Sequence, residues 1–132
     1  MPRTKLEHPT PAELEVLNVL WKRGASTVRD VMASLGPARK VRAYTSVMSL
    51  MNLMWEKKLL KRKPLGRAFL YEACVSQKKT LGQLVSDLCR RAFSGSSSAL
   101  VLHMIEQENP TPDELEAIQE AINNHLQREE PS

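Results

Sequence analysis

The chemistry open to this chain is set by a short run of small polar residues. Thr45, Ser46, Ser49 and Asn52 stand at i, i+1, i+4 and i+7, positions that share one side of an α-helix. Tyr44 stands at the head of that run and Arg42 joins its face. Hydroxyls and an amide at this spacing are neutral donors and acceptors, suited to the hydrogen-bonding edges of bases, and their methyl and methylene groups suit a thymine methyl. Arg39, Lys40 and Arg42 precede the run, and Lys61, Arg62, Lys63 and Arg67 follow it around Pro64 and Gly66. Such cations match phosphate. The plain alternatives are a solvated helix face and a hairpin edge guarded by charge. Solvated faces are usually rich in Glu and Lys, whereas here the one acid, Glu56, is held back to the far end.

Other chemistries find little footing. His8, His103 and His125 are scattered, and Cys74 and Cys89 lie at no metal-ligand spacing. No Ser–His–Asp set, glycine-rich phosphate loop or paired carboxylates stand out. The expectation is a non-enzyme with no catalytic residues, no cofactor and no metal. Two isolated cysteines suit a reducing compartment. No apolar run approaches the roughly 18 residues a membrane span needs, and Glu7, His8 and Pro9 occupy the place of a leader's apolar segment. Cytoplasmic location without membrane insertion is expected.

The elements that must position these residues are legible from their caps. Thr10-Pro11-Ala12-Glu13 is a capping box with proline at the first helical position, followed by Leu14, Leu17 and Trp21 and stopped by Gly24. Thr27-Val28-Arg29-Asp30 opens a second helix carrying Val28, Val31, Met32 and Leu35, closed by Gly36. A charged loop, 37–42, leads to a third helix over about 43–57, with Val47, Leu50, Met51 and Met54 on its apolar side. Residues 59–63 and 68–71 read as strands joined by a turn at 64–67. Phe69 and Tyr71 read as packing residues, as do Trp21, Trp55 and the methionines. Three helices and a hairpin in about 75 residues form a winged helix-turn-helix pattern. The fold class is therefore mainly α with a small β-hairpin wing.

Beyond residue 75 the character changes. Residues 1–75 hold 14 Lys and Arg against 6 Asp and Glu, a net +8, whereas residues 76–132 hold 5 against 9, a net −4. A basic module joined to an acidic one fits a polyanion binder with a partner module that does not touch the polyanion. Leu81, Leu84 and Leu88 mark one amphipathic helix and Leu100, Val101, Met104 and Ile105 a second. Thr111-Pro112-Asp113-Glu114 caps a third carrying Leu115, Ile118 and Ile122. So short a segment makes a marginal core of its own. Its stripes must pack on the first module or on a second copy. The charge split favours a homodimer, giving a DNA-binding domain over 1–75 and a helical dimerisation domain over 76–132.

Four blocks in order resemble the penicillinase-repressor (BlaI/MecI/CopY) family: LEVLNVLWKRGASTVRDV, AYTSVMSLMNLMWEKKLLKR, GRAFLYEA and SALVLHMIEQENPTPDELEAI. The resemblance spans Thr10 to Leu126. It implies a winged helix, a three-helix dimerisation tail and repression through a pseudo-palindromic operator. It puts Thr45, Ser46 and Ser49 on the recognition helix and Arg67 in the wing. Members tied to β-lactam resistance are cut by a membrane-bound sensor metalloprotease at an Asn before a bulky apolar residue, which is His103-Met104 here. Copper-responsive members carry Cys-x-Cys motifs that this chain lacks. The family usually has Arg-Leu at Leu53-Met54 and Lys-Gly at Lys57-Lys58. A winged-helix module that binds protein and never meets DNA is the competing reading.

Overall fold

The computed structural model describes residues 8–35 and 44–129. Arg39, Lys40 and Arg42, the charged loop that holds them and the Gly36 stop lie outside the described residues. Helix α1 (Pro11–Arg23) starts on a reciprocal capping box. The Glu13 amide donates to Thr10 Oγ1 at 3.2 Å, and the Thr10 amide to Glu13 Oε1 at 3.0 Å. Gly24 ends it with φ at +88°, a conformation open to glycine and disfavoured for other residues. Helix α2 (Val28–Leu35) repeats the device with Thr27 and Asp30, at 3.1 and 3.2 Å.

Helix α3 (Tyr44–Glu56) buries Val47, Met51 and Met54. Its end is a Schellman motif. The Leu59 amide reaches the Met54 carbonyl at 2.9 Å and the Lys58 amide the Trp55 carbonyl at 3.0 Å, with Lys58 left-handed at φ +70°. That geometry explains the glycine expected from the family at Lys58: only the larger residue strains there.

Strands β1 (Leu60–Leu65) and β2 (Ala68–Ala73) pair antiparallel, Leu60 with Ala73 through Leu65 with Ala68. The turn is shorter than the sequence suggests. Gly66 and Arg67 alone form it, and Pro64 sits inside β1 opposite Phe69. Positive φ at Gly66 only, +63°, fits a type II′ hairpin. In such a hairpin the pair next to the closing one exchanges no hydrogen bonds, so proline is tolerated there. A third strand is reduced to one residue. Ser26, fully buried, exchanges backbone hydrogen bonds of 2.9 and 2.8 Å with Tyr71.

The core gathers Val16, Leu17, Leu20, Val31, Met51 and Leu60 among the three helices and the hairpin. Glu13, only 1% exposed, also accepts from Lys57 Nζ at 2.7 Å, tying the start of α1 to the end of α3. Trp21 Nε1 donates to the Val75 carbonyl at 3.0 Å. The architecture is a winged helix.

Three further helices follow: α4 (Gln77–Ala92), α5 (Ser97–Glu108) and α6 (Pro112–Glu129). Ser96 caps α5, and Thr111 with Glu114 forms the third reciprocal box, at 2.8 and 3.1 Å. The chain divides into two compact units, Met1–Val85 and Ser86–Ser132, the division falling inside α4. Among the described residues no helix is long and apolar enough to cross a membrane.

Candidate nucleic-acid interface

Burial on one side of α3 fixes what the other side offers. With Val47, Met51 and Met54 in the core, Tyr44, Thr45, Ser46 and Ser49 are exposed and Asn52 is half-buried. Met48 joins them at 39% exposed, as does Trp55 at 38%. The sequence pattern places both in the core, and the structure leaves both exposed. The apolar pattern of α3 does not separate them from their buried neighbours, because Met48 follows Val47 and Trp55 follows Met54 directly.

The wing sorts its cations by the strand's period of two. Lys61 and Lys63 share one face, and Lys61 stands 3.9 Å from cross-strand Glu72. Arg62 takes the other face, directly opposite Tyr71. The sequence groups Arg62 with Lys63 and Arg67 as phosphate contacts, but its guanidinium has partners already. It lies 3.7 Å from the centre of the Trp55 ring and 4.0 Å from that of Phe69. Nη1 donates to Asn52 Oδ1 at 2.9 Å and to the Tyr71 hydroxyl at 3.3 Å. Tyr71 is buried as expected, but Phe69 is partly exposed and meets it edge-on, centroids 6.3 Å apart. Arg67 is exposed in the turn.

Between the start of α2, the start of α3 and the wing runs a groove of about 360 Å³. Tyr44, Met48 and Phe69 form its apolar wall and Arg29 and Arg67 its charges. Arg29, whose guanidinium lies 4.9 Å from the centre of the Tyr44 ring, is a cation the sequence reading passed over. Its place directly after a helix start was the available signal, since helix N-termini attract anions. Asp30, beside it, has its carboxyl held below its ordinary range. The hydrogen bond from the Thr27 amide is the main cause, opposed by partial desolvation and assisted by the Thr27 hydroxyl and Arg23.

The tail residues present apolar surface. Leu81, Leu88, Val101, Met104, Leu115 and Ile122 are exposed, whereas Leu84, Leu100, Ile105 and Ile118 are half-buried. His103 packs on Phe93, ring centroids 5.6 Å apart, and the His103–Met104 bond lies within α5. Cys74 and Cys89 are free thiols. Among the described residues no group of three metal-ligating side chains comes together.

A family model described as penicillinase repressor matches residues 9–124. The chain belongs to the penicillinase repressor family. It is 31% identical over 120 residues to the transcriptional regulator BlaI of Mycobacterium tuberculosis, covering 89% of this chain and 85% of that one. It is 23% identical over 124 residues to the penicillinase repressor of Bacillus licheniformis, covering 94% and 96%. The methicillin resistance regulatory protein MecI of Mammaliicoccus sciuri is 22% identical over 112 residues, covering 85% and 90%. A crystal structure of a transcriptional regulator from Thermotoga maritima shares the fold, with a TM-score of 0.50 at 13% identity, covering 94% of this chain and 80% of that one. Members of this family are transcriptional regulators and not enzymes.

Proposed function

We propose that this chain is a transcriptional repressor that binds a pseudo-palindromic operator as a homodimer, with α3 in the major groove and the wing on the sugar-phosphate backbone. The observation that carries the reading is the exposed hydroxyl face of α3 beside a basic hairpin, both held by one buried core. Short side chains let the helix backbone approach closely, so Thr45, Ser46 and Ser49 reach base edges, and Met48 supplies apolar contact for thymine methyls. Arg29 and Arg67 flank the groove as phosphate contacts, and Lys63, on the other face of the wing, adds to its positive charge. Arg39, Lys40 and Arg42 belong to the same role by sequence position. The apolar stripes of α4–α6 meet their equivalents in a second copy, which brings two readers to two half-sites. If release follows the family's proteolytic route, His103–Met104 is the bond cut by a membrane-bound sensor metalloprotease. Its place inside α5 requires that helix to open locally before cleavage.

The test is a titration of the DNA upstream of the chain's own gene, and of scrambled DNA, at several salt concentrations. Ser49→Ala should cost about 1 kcal/mol and change preference at one position in each half-site. Arg67→Ala should weaken both DNAs similarly and lower the salt slope by about two per dimer, because counterion release counts neutralised phosphates. Equal weakening of both DNAs by Ser49→Ala would remove α3 from the groove. An unchanged slope in Arg67→Ala would remove the wing from the backbone.

A further inference from the structure

We infer that Arg62 is a positioning residue, a latch that sets the wing's angle on α3 and aims Asn52, and that it is not a phosphate contact. This rests on the reading of α3 and the wing as a DNA interface. One guanidinium, rooted on β1, touches both of the other elements of that interface. It reaches the Trp55 ring and Asn52 Oδ1 on α3, and the Phe69 ring and Tyr71 hydroxyl on β2. A planar guanidinium can stack and donate in its plane at once, which a lysine ammonium cannot do. Stacking on Trp55 and Phe69, with Nη1 donating to Asn52 and Tyr71, holds the guanidinium against α3 and β2. Lys61 and Lys63, on the opposite strand face, have no such cage.

The latch has a consequence for reading. A two-point contact with adenine needs both the carbonyl and the NH2 of an asparagine. With Oδ1 engaged by Arg62, Asn52 offers the base its Nδ2 donor, which fits any single major-groove acceptor (purine N7, guanine O6 or thymine O4) and removes the two-point preference for adenine. Arg62 thereby restricts what the C-terminal half of α3 accepts without touching DNA.

The experiment compares the full-length native chain with R62K and W55L. Each is titrated with the upstream DNA at several salt concentrations, and each is followed by amide hydrogen exchange without DNA. R62K keeps the charge, so a phosphate contact would be largely preserved. The latch predicts about a tenfold loss of affinity in R62K, a similar loss in W55L, and altered preference at one position per half-site. It also predicts wing amides exchanging about tenfold faster in both variants, with α1 amides unchanged. R62K binding like the native chain, or wing exchange unaltered in both variants, overturns the latch. Should R62K fail to fold, W55L decides alone. A native chain that binds no upstream DNA would defeat the functional reading, while the exchange arm would still decide whether Arg62 holds the wing.

Discussion

The two units of this chain use their apolar residues in opposite ways. In Met1–Val85, leucines, valines and methionines from three helices and a hairpin close over one another, and Val16, Leu17, Val31, Met51 and Met54 are fully buried. In Ser86–Ser132 no described residue is buried; Leu102 and Leu126 are each 62% exposed and Ile122 50%. Yet the second unit is not short of helix signals, since Ser96 and Thr111 cap its helices as well as Thr10 caps α1. Local propensity and capping thus make helices in both, but only the first unit has a core to hold them. Helices without tertiary burial are marginal in water. In the proposed homodimer, a second copy covering Leu115, Ile118 and Ile122 would supply what the second unit lacks.

The sharpest way to break this contrast is to charge the stripe. Ile122→Asp should abolish the dimer and lower operator affinity about 100-fold or more, through loss of the linked second half-site, while the first unit's unfolding transition stays in place. Sedimentation and DNA titration read both. A variant that remains dimeric would show that this stripe is not the interface. Next in size, Leu17→Ala should destabilise the first unit by about 2–5 kcal/mol, the cost of a cavity in a closed core. Its denaturation midpoint should shift equally at all protein concentrations, whereas any transition of the tail should depend on concentration.

Smaller effects probe the first unit's ends. Lys58→Gly should stabilise it by about 1 kcal/mol, because the native φ of +70° strains lysine and suits glycine. Denaturant melts would check this, and a loss of stability would mean the lysine side chain contributes more than the strain removes. Asp30 gives a pH signature. Its folded-state pKa lies below the ordinary 3.8, so its contribution is present above that value and is lost as pH falls through the lowered one. Asp30→Asn should flatten the acid limb of the stability curve below about pH 4, and an acid limb identical to the native chain's would refute the assignment.

Much of this was legible in the sequence because caps are local. Thr10, Thr27 and Thr111, each with an acid three residues on, announce helix starts that the structure realises bond for bond. The hydroxyl face of α3 followed from one period. What escaped is non-local. The pairing of Ser26 with Tyr71 joins stretches far apart in the first unit's sequence and has no pattern in the Gly24–Ser26 stretch. The ion pair from Lys57 to Glu13 gives a capping residue a second role that only packing reveals. Arg62 is the instructive case. Counting charges grouped it with Lys61 and Lys63, whereas strand parity alone sets it on the face of Phe69 and Tyr71.

On the proposed function, the exposed face of α3 and the wing, doubled by pairing of the tails, read operator DNA. Hydroxyl-radical footprinting of the native chain on the DNA upstream of its own gene tests it most directly. Two symmetric protected patches are expected on one face of the duplex, their centres about 10 base pairs or a simple multiple apart. A single unpaired patch would contradict the dimeric reader, and no protection at low salt would contradict DNA binding itself.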